Sequence, residues 1–146
     1  MPKEPCAVDA VGIMIRTLAI FLALLLPLGV LASEPTQDAL ELPSGQTAQF
    51  HEVLTNRPGG GLVYRFRFVA EGFVPTEDNI DQVQADLEYL CTHYAIGKVP
   101  TVGPQPRQII ISLADRHVEF GVVDPDAKQV FEAYSVQDGI CIWEIF

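Results

Sequence analysis

Apolar and polar positions change their period several times along the chain, and each change marks an element. Leu62, Tyr64, Phe66 and Phe68 alternate with Val63, Arg65, Arg67 and Val69. A period of two is the pattern of a strand with one buried face, so residues 62–70 are expected to form a strand. Residues 48–55 are expected to be its hairpin partner, across the breaker Asn56-Arg57-Pro58-Gly59-Gly60-Gly61. From 77 to 95 the period lengthens. Ile80, Val83, Leu87, Leu90, Cys91 and Tyr94 fall within an arc of about 100° at helical spacing. Asp81, Gln82, Asp86, Glu88 and Thr92 fall outside that arc. Thr76 or Asp78 is placed to cap the helix, and Gly97 to stop it.

Pro100, Pro104 and Pro106 make residues 99–106 a connector. The run Ile109-Ile110-Ile111 reads as the centre of a strand over 107–113 that is buried on both faces. A partner strand is expected over 117–123, between the turns Ala114-Asp115-Arg116 and Asp124-Pro125-Asp126. Residues 130–137 and 140–146 flank Asp138-Gly139, a preferred two-residue hairpin turn. That turn sets a register in which Gln137 pairs with Ile140, Val136 with Cys141 and Tyr134 with Trp143. The expected fold class is α+β: a mainly antiparallel sheet of about six strands with one helix packed across it.

The start of the chain has a different character. No charged residue occurs from Thr17 to Ser33, Arg16 precedes the run, and Val30-Leu31-Ala32 closes it. That is the layout of a secretory signal peptide with a small-residue cleavage site. Residues 1–32 are therefore expected to be a signal peptide, 33–41 an N-terminal tether, and 42–146 a single domain. Met14-Ile15-Arg16 is a more usual beginning for such a signal than Met1, so translation is expected to start at Met14. Once the signal is cut, no remaining apolar stretch is long enough to span a bilayer. The product is expected to be periplasmic or secreted, with no membrane association.

Charge and cysteine content sharpen this picture. The formal net charge is −10. Loss of the leader removes Lys3 and Arg16 together with Glu4 and Asp9, so the charge is unchanged. Such a surface repels phosphate backbones, and no nucleic-acid partner is expected. Cys6 leaves with the leader, and Cys91 and Cys141 remain. An even pair in an exported domain reads as a disulfide. It would pin the apolar arc of the helix to the sheet face that carries Cys141, which agrees with the register set by Asp138-Gly139.

Candidate chemistry is sparse. His51, His93 and His117 show no metal-ligand spacing, although His51 and His117 could meet in space. No serine carries a nucleophile signature. Gly59-Gly60-Gly61 lacks the Lys and Ser/Thr of a phosphate loop. No catalytic residue, cofactor or metal site is assigned. Arg65 and Arg67, two apart on one strand, can present two guanidinium forks to an anion or an acidic partner, or pair locally with Glu52.

The later part of the chain also resembles a known family. The resemblance is carried by Leu90-Cys91, Ile111-Ser112-Leu113-Ala114-Asp115-Arg116, Val118-Glu119-Phe120-Gly121, Phe131-Glu132-Ala133-Tyr134 and Asp138-Gly139-Ile140-Cys141-Ile142-Trp143-Glu144. These segments resemble a family of small secreted proteins of Rhodobacter-like alphaproteobacteria, a domain of unknown function. The resemblance implies a protein of a Gram-negative envelope and brings no catalytic residue with it. The functional expectation is a non-catalytic periplasmic module that binds a protein or envelope component. The alternative is a small periplasmic hydrolase or isomerase whose site assembles only in three dimensions.

Overall fold

A computed structural model describes residues 38–145. The expected signal peptide, the expected start at Met14 and the first part of the tether lie outside the described residues. Within them the fold is α+β. Six strands form one curled sheet in the order of the chain, and one helix packs against it. The strands are β1 (Ala39–Glu41), β2 (Thr47–Asn56), β3 (Val63–Val69), β4 (Gln108–Ala114), β5 (Gln129–Gln137) and β6 (Ile140–Glu144). Every neighbouring pair is antiparallel except β3 and β4. A parallel pair needs a crossover, and the helix α1 (Ile80–Leu90) lies within it.

Ala39–Glu41 stand at the end of the expected tether, yet they form a strand that pairs Leu40 with Ala48. Two contacts to the far end of the helix hold this start. The Tyr94 hydroxyl donates to Asp38 Oδ2 at 3.0 Å, and Lys98 Nζ lies 3.7 Å from the same oxygen. Burial first, then the Asp38 carboxylate, push the Tyr94 hydroxyl up to about 12.

The crossover begins with a cap. Asn79 Oδ1 accepts from the Thr76 backbone N–H at 2.7 Å, and α1 follows. The helical path continues through a π turn, Cys91–Ala95, and closes with Ile96–Lys98. It does not stop at Gly97. Val99 swings extended (φ −78°, ψ 135°) where Pro100 follows it, since the proline ring disfavours helical geometry in the residue before it. Asp86 lies outside the apolar arc, yet it is buried. Its Oδ1 accepts from the backbone N–H of Ser44 at 2.9 Å, which fixes the β1–β2 turn to the helix.

The core between helix and sheet gathers Phe66, Phe68, Leu87, Leu90, Ile109, Ile111, Leu113 and Tyr134. The disulfide Cys91–Cys141 sits inside it, with both residues buried and their Cα atoms 6.2 Å apart. The β5–β6 register is the one that Asp138-Gly139 requires, with both turn residues at positive φ (50° and 76°).

The expected strand over 117–123 is absent. β4 already has two neighbours, β3 and β5, so no free edge remains for that segment to pair with. Residues 115–128 instead form a loop closed at its base. Asp115 N–H donates to Lys128 O at 2.9 Å, and Lys128 N–H donates to Asp115 Oδ1 at 3.0 Å. The loop reaches the sheet face away from the helix, the outer face, where the Val118 carbonyl meets Arg67.

Candidate functional site

The outer face is built by the second half of each alternating strand pattern. On β3 it carries Val63, Arg65 and Arg67; on β4, Ile110 and Ser112; on β5, Gln129, Phe131 and Ala133. Val63, Ile110 and Ala133 form a small buried cluster there. A β-bulge in β2 decides what faces Arg67. Phe50 pairs with Phe68 and Glu52 with Arg67, so His51 is the extra residue. The extra residue places Glu52 on the face of the two arginines.

Arg65 and Arg67 share a face, and their surroundings separate them. Arg67 is buried, forms an ion pair with Glu52 through Nη1, and donates from Nη2 to the Val118 carbonyl at 2.6 Å. Its fork is spent on binding β2 and the loop to β3. Arg65 has no such company. Its Nε is shut off from solvent without a hydrogen-bond partner. Among the described residues no carboxylate lies within ion-pair distance of its guanidinium.

The loop and the sheet enclose a cleft of about 210 Å³. Arg65, Ile110, Ser112 and Phe131 line it from the sheet, and Val118, Phe120 and Val122 from the loop. The Phe120 ring centroid lies 5.9 Å from Arg65 Cζ and 5.8 Å from Arg67 Cζ, so one ring faces both cations. Gly121, at φ +82°, lets the chain reverse after Phe120. At the floor, Gln129 Nε2 donates to Ser112 Oγ at 2.6 Å. Glu119 stands at the rim. Arg65 and Arg67 were legible as one face of a strand, whereas Phe120, Ser112 and Gln129 were not. The available signal was Gly121, a chain breaker in the middle of the segment expected to be a strand.

His51 and His117 do meet. Their Nδ1 atoms are 3.0 Å apart and their rings cross edge to face at 4.4 Å. His51 Nε2 lies 3.6 Å from Glu52 Oε1. Burial, and next the charge on His117, hold the His51 pKa below its ordinary value, Glu52 opposes this, and Arg67 adds to the lowering. His117 is exposed, and neither imidazole lines the cleft. His93 lies apart on the helix, stacked on Tyr89. Among the described residues no three His, Cys, Asp or Glu side chains come together as a metal-ligand set. Among the same residues no helix is long and apolar enough to cross a membrane.

Comparison with known proteins gives one match. A family described as a family of unknown function (DUF6497) covers residues 25–146. No curated protein and no solved structure matches the chain.

Proposed function

The chain belongs to that family of unknown function, and we propose that it is an exported, non-catalytic module that binds a protein or envelope component through the outer face of its sheet. The observation that carries the reading is the state of that face. It holds a ready cleft with an unspent arginine, and large apolar side chains stand exposed on it: Phe120 and Val122 on the loop, Phe131 on β5, Ile140 and Ile142 on β6. Exposed apolar groups gathered on one face beside a charged anchor are the makings of a recognition surface. The disulfide supports export, since such bonds persist in oxidising compartments.

One observation favours the enzyme reading. His51 and His117 touch beside Glu52, and a paired imidazole can act as a general base. Binding is preferred because the concave space lies around Arg65 and neither imidazole borders it.

A photo-crosslinking residue in place of Phe131 tests the reading in cells of the native host, with one in place of Gln82, exposed on the helix, as control. The expected result is a discrete adduct from position 131 and none from position 82. No adduct, or the same adducts from both positions, overturns the reading. Recovery of the protein from the cytosol with both thiols free overturns export.

A further inference from the structure

We propose that the cleft beneath the 115–128 loop is a binding site for a monocarboxylate carried on a compact apolar body. The inference rests on the binding reading above and gives the ligand its chemistry. Of the polar groups that line the cleft, Arg67 is held by Glu52 and the Val118 carbonyl, and Ser112 and Gln129 are bonded to each other, which leaves Arg65 as the cation without a partner among apolar side chains. Arg65 supplies the anchor, and Ile110, Val118, Phe120, Val122 and Phe131 supply the wall. Arg65 is half-buried, its Nε lacks a partner and its guanidinium lacks a carboxylate among the described residues, and the group that best satisfies a guanidinium fork is a carboxylate. Arg67 cannot serve as that anchor, because Glu52 and the Val118 carbonyl already hold it. In a chain of net charge −10, a guanidinium without a carboxylate partner among the described residues runs against composition.

Size and charge narrow the class. A cavity near ~150 Å³ accepts a benzene ring. The cleft, at about 210 Å³, has room for a ring or a branched chain with its carboxylate. Phe120 would flank both parts, since its ring already lies against Arg65. One unpartnered cation matches one carboxylate, and Glu119, which also lines the cleft, repels a second negative charge, so a monoanion is favoured over phosphate or a dicarboxylate. Two sources share this chemistry: a free aryl or branched-alkyl acid, and the C-terminal residue of a protein that ends in a large apolar side chain.

The test uses protein recovered from expression of the full chain. It is titrated with 3-phenylpropionate and with neutral 3-phenylpropionamide, and the Arg65 side-chain Nε resonance is followed by NMR. The acid is expected to bind at least about tenfold more tightly than the amide and to move the Arg65 resonance. Arg65→Gln is expected to bring the acid down to the level of the amide, Arg65→Lys to keep part of the difference, and Glu119→Gln to tighten the acid. A peptide ending in Phe with a free carboxylate, compared with its amidated form, separates the two sources. Tighter binding of the free-carboxylate peptide than of phenylpropionate assigns the site to protein C-termini, and the reverse assigns it to small acids. Equal affinity for acid and amide, no Arg65 shift at millimolar acid, or an Arg65→Gln variant that binds as before overturns the proposal. If the acid fails while the crosslink from position 131 persists, the ligand chemistry is wrong and the module reading stands. If the acid binds while the crosslink is absent, the site stands and the module reading falls.

Discussion

Asp86 shows how much one side chain can carry when it serves two elements. It lies just outside the apolar arc, and it is buried with its carboxylate accepting the Ser44 N–H of the turn that joins β1 to β2. Helical spacing alone assigns it to solvent. Its partner is a backbone donor forty-two residues earlier, which no local pattern encodes. Removing the acceptor leaves the part-buried Ser44 N–H without its partner, and such loss costs about 1–3 kcal/mol. Asp86→Ala is expected to lower the unfolding free energy in urea by that amount. It should also loosen hydrogen-exchange protection in β1 before the rest of the sheet. Asp86→Asn keeps an acceptor and should retain more than half of the stability. An Asp86→Ala protein as stable as the parent would show that Ser44 finds another partner. Arg65 and Arg67 teach the complementary lesson. Their shared face was legible from a period of two, but their different fates depend on the bulge at His51, which alternation cannot reveal.

Elements with strong local signals came out as the sequence implies. The β5–β6 hairpin follows from Asp138-Gly139, the helix start from Thr76, one of the two caps expected, and β4 from its three isoleucines. The element that failed is the 117–123 segment, which has the composition of a strand but finds both sides of its expected partner β4 already taken by β3 and β5. Strand formation is a property of the sheet as well as the segment. The candidate cleft was illegible for the same reason, since half of its lining comes from that segment. As a loop, the segment is held at His117, and this contact titrates. A bond between two Nδ1 atoms needs one donor and one acceptor, so at least one imidazole must be neutral. Burial first, then the His117 charge, lower the His51 pKa; Glu52 works against them and Arg67 with them. A folded-state pKa below the unfolded 6.5 means that the contribution is present above pH 6.5 and is lost as pH falls through the lowered value. Exchange protection of the Val122 amide, which donates to the Glu119 carbonyl within the loop, corrected for intrinsic rates, is therefore expected to drop between about pH 7 and pH 5, within the range where imidazoles titrate. His117→Ala should abolish that dependence. Protection that stays flat across the range in the parent protein would show that the His51–His117 contact does not hold the loop.

At the scale of the molecule, the sheet is held unevenly. β3 and β4 lie at its centre, each flanked on both sides, whereas β6 is an edge strand whose ladder runs to β5, with one side-chain tie to β4 where Gln108 Nε2 donates to Glu144 Oε2 at 2.6 Å. Its outer residues Ile140 and Ile142 are exposed, and even Trp143, on the same side as Cys141, is half exposed. Beyond the hairpin turn, the covalent link from Cys141 to Cys91 is what ties this edge to the helix. The link closes a separation of 50 residues. The chain-entropy treatment gives such a loop up to ~4 kcal/mol, a large part of the ~5–15 kcal/mol typical of a domain. Reduction, or Cys91→Ala with Cys141→Ala, should therefore move the urea midpoint down by an amount that corresponds to a few kcal/mol. The uneven architecture adds a sharper expectation. Trp143 is the only tryptophan of the chain, lies on β6, and donates to Glu132 Oε2 at 2.7 Å, so its fluorescence reports on that edge. With the disulfide closed, the fluorescence and far-ultraviolet transitions should coincide, as they do for a two-state domain. With it open, the fluorescence transition should come at lower urea, because β6 can then leave the sheet while the centre stays folded. Coincident transitions in both forms would mean that the β5–β6 ladder and the Gln108–Glu144 hydrogen bond couple the edge to the core without the bridge. A shift in midpoint worth less than about 1 kcal/mol would mean that the unfolded chain gains little freedom when the bridge is cut.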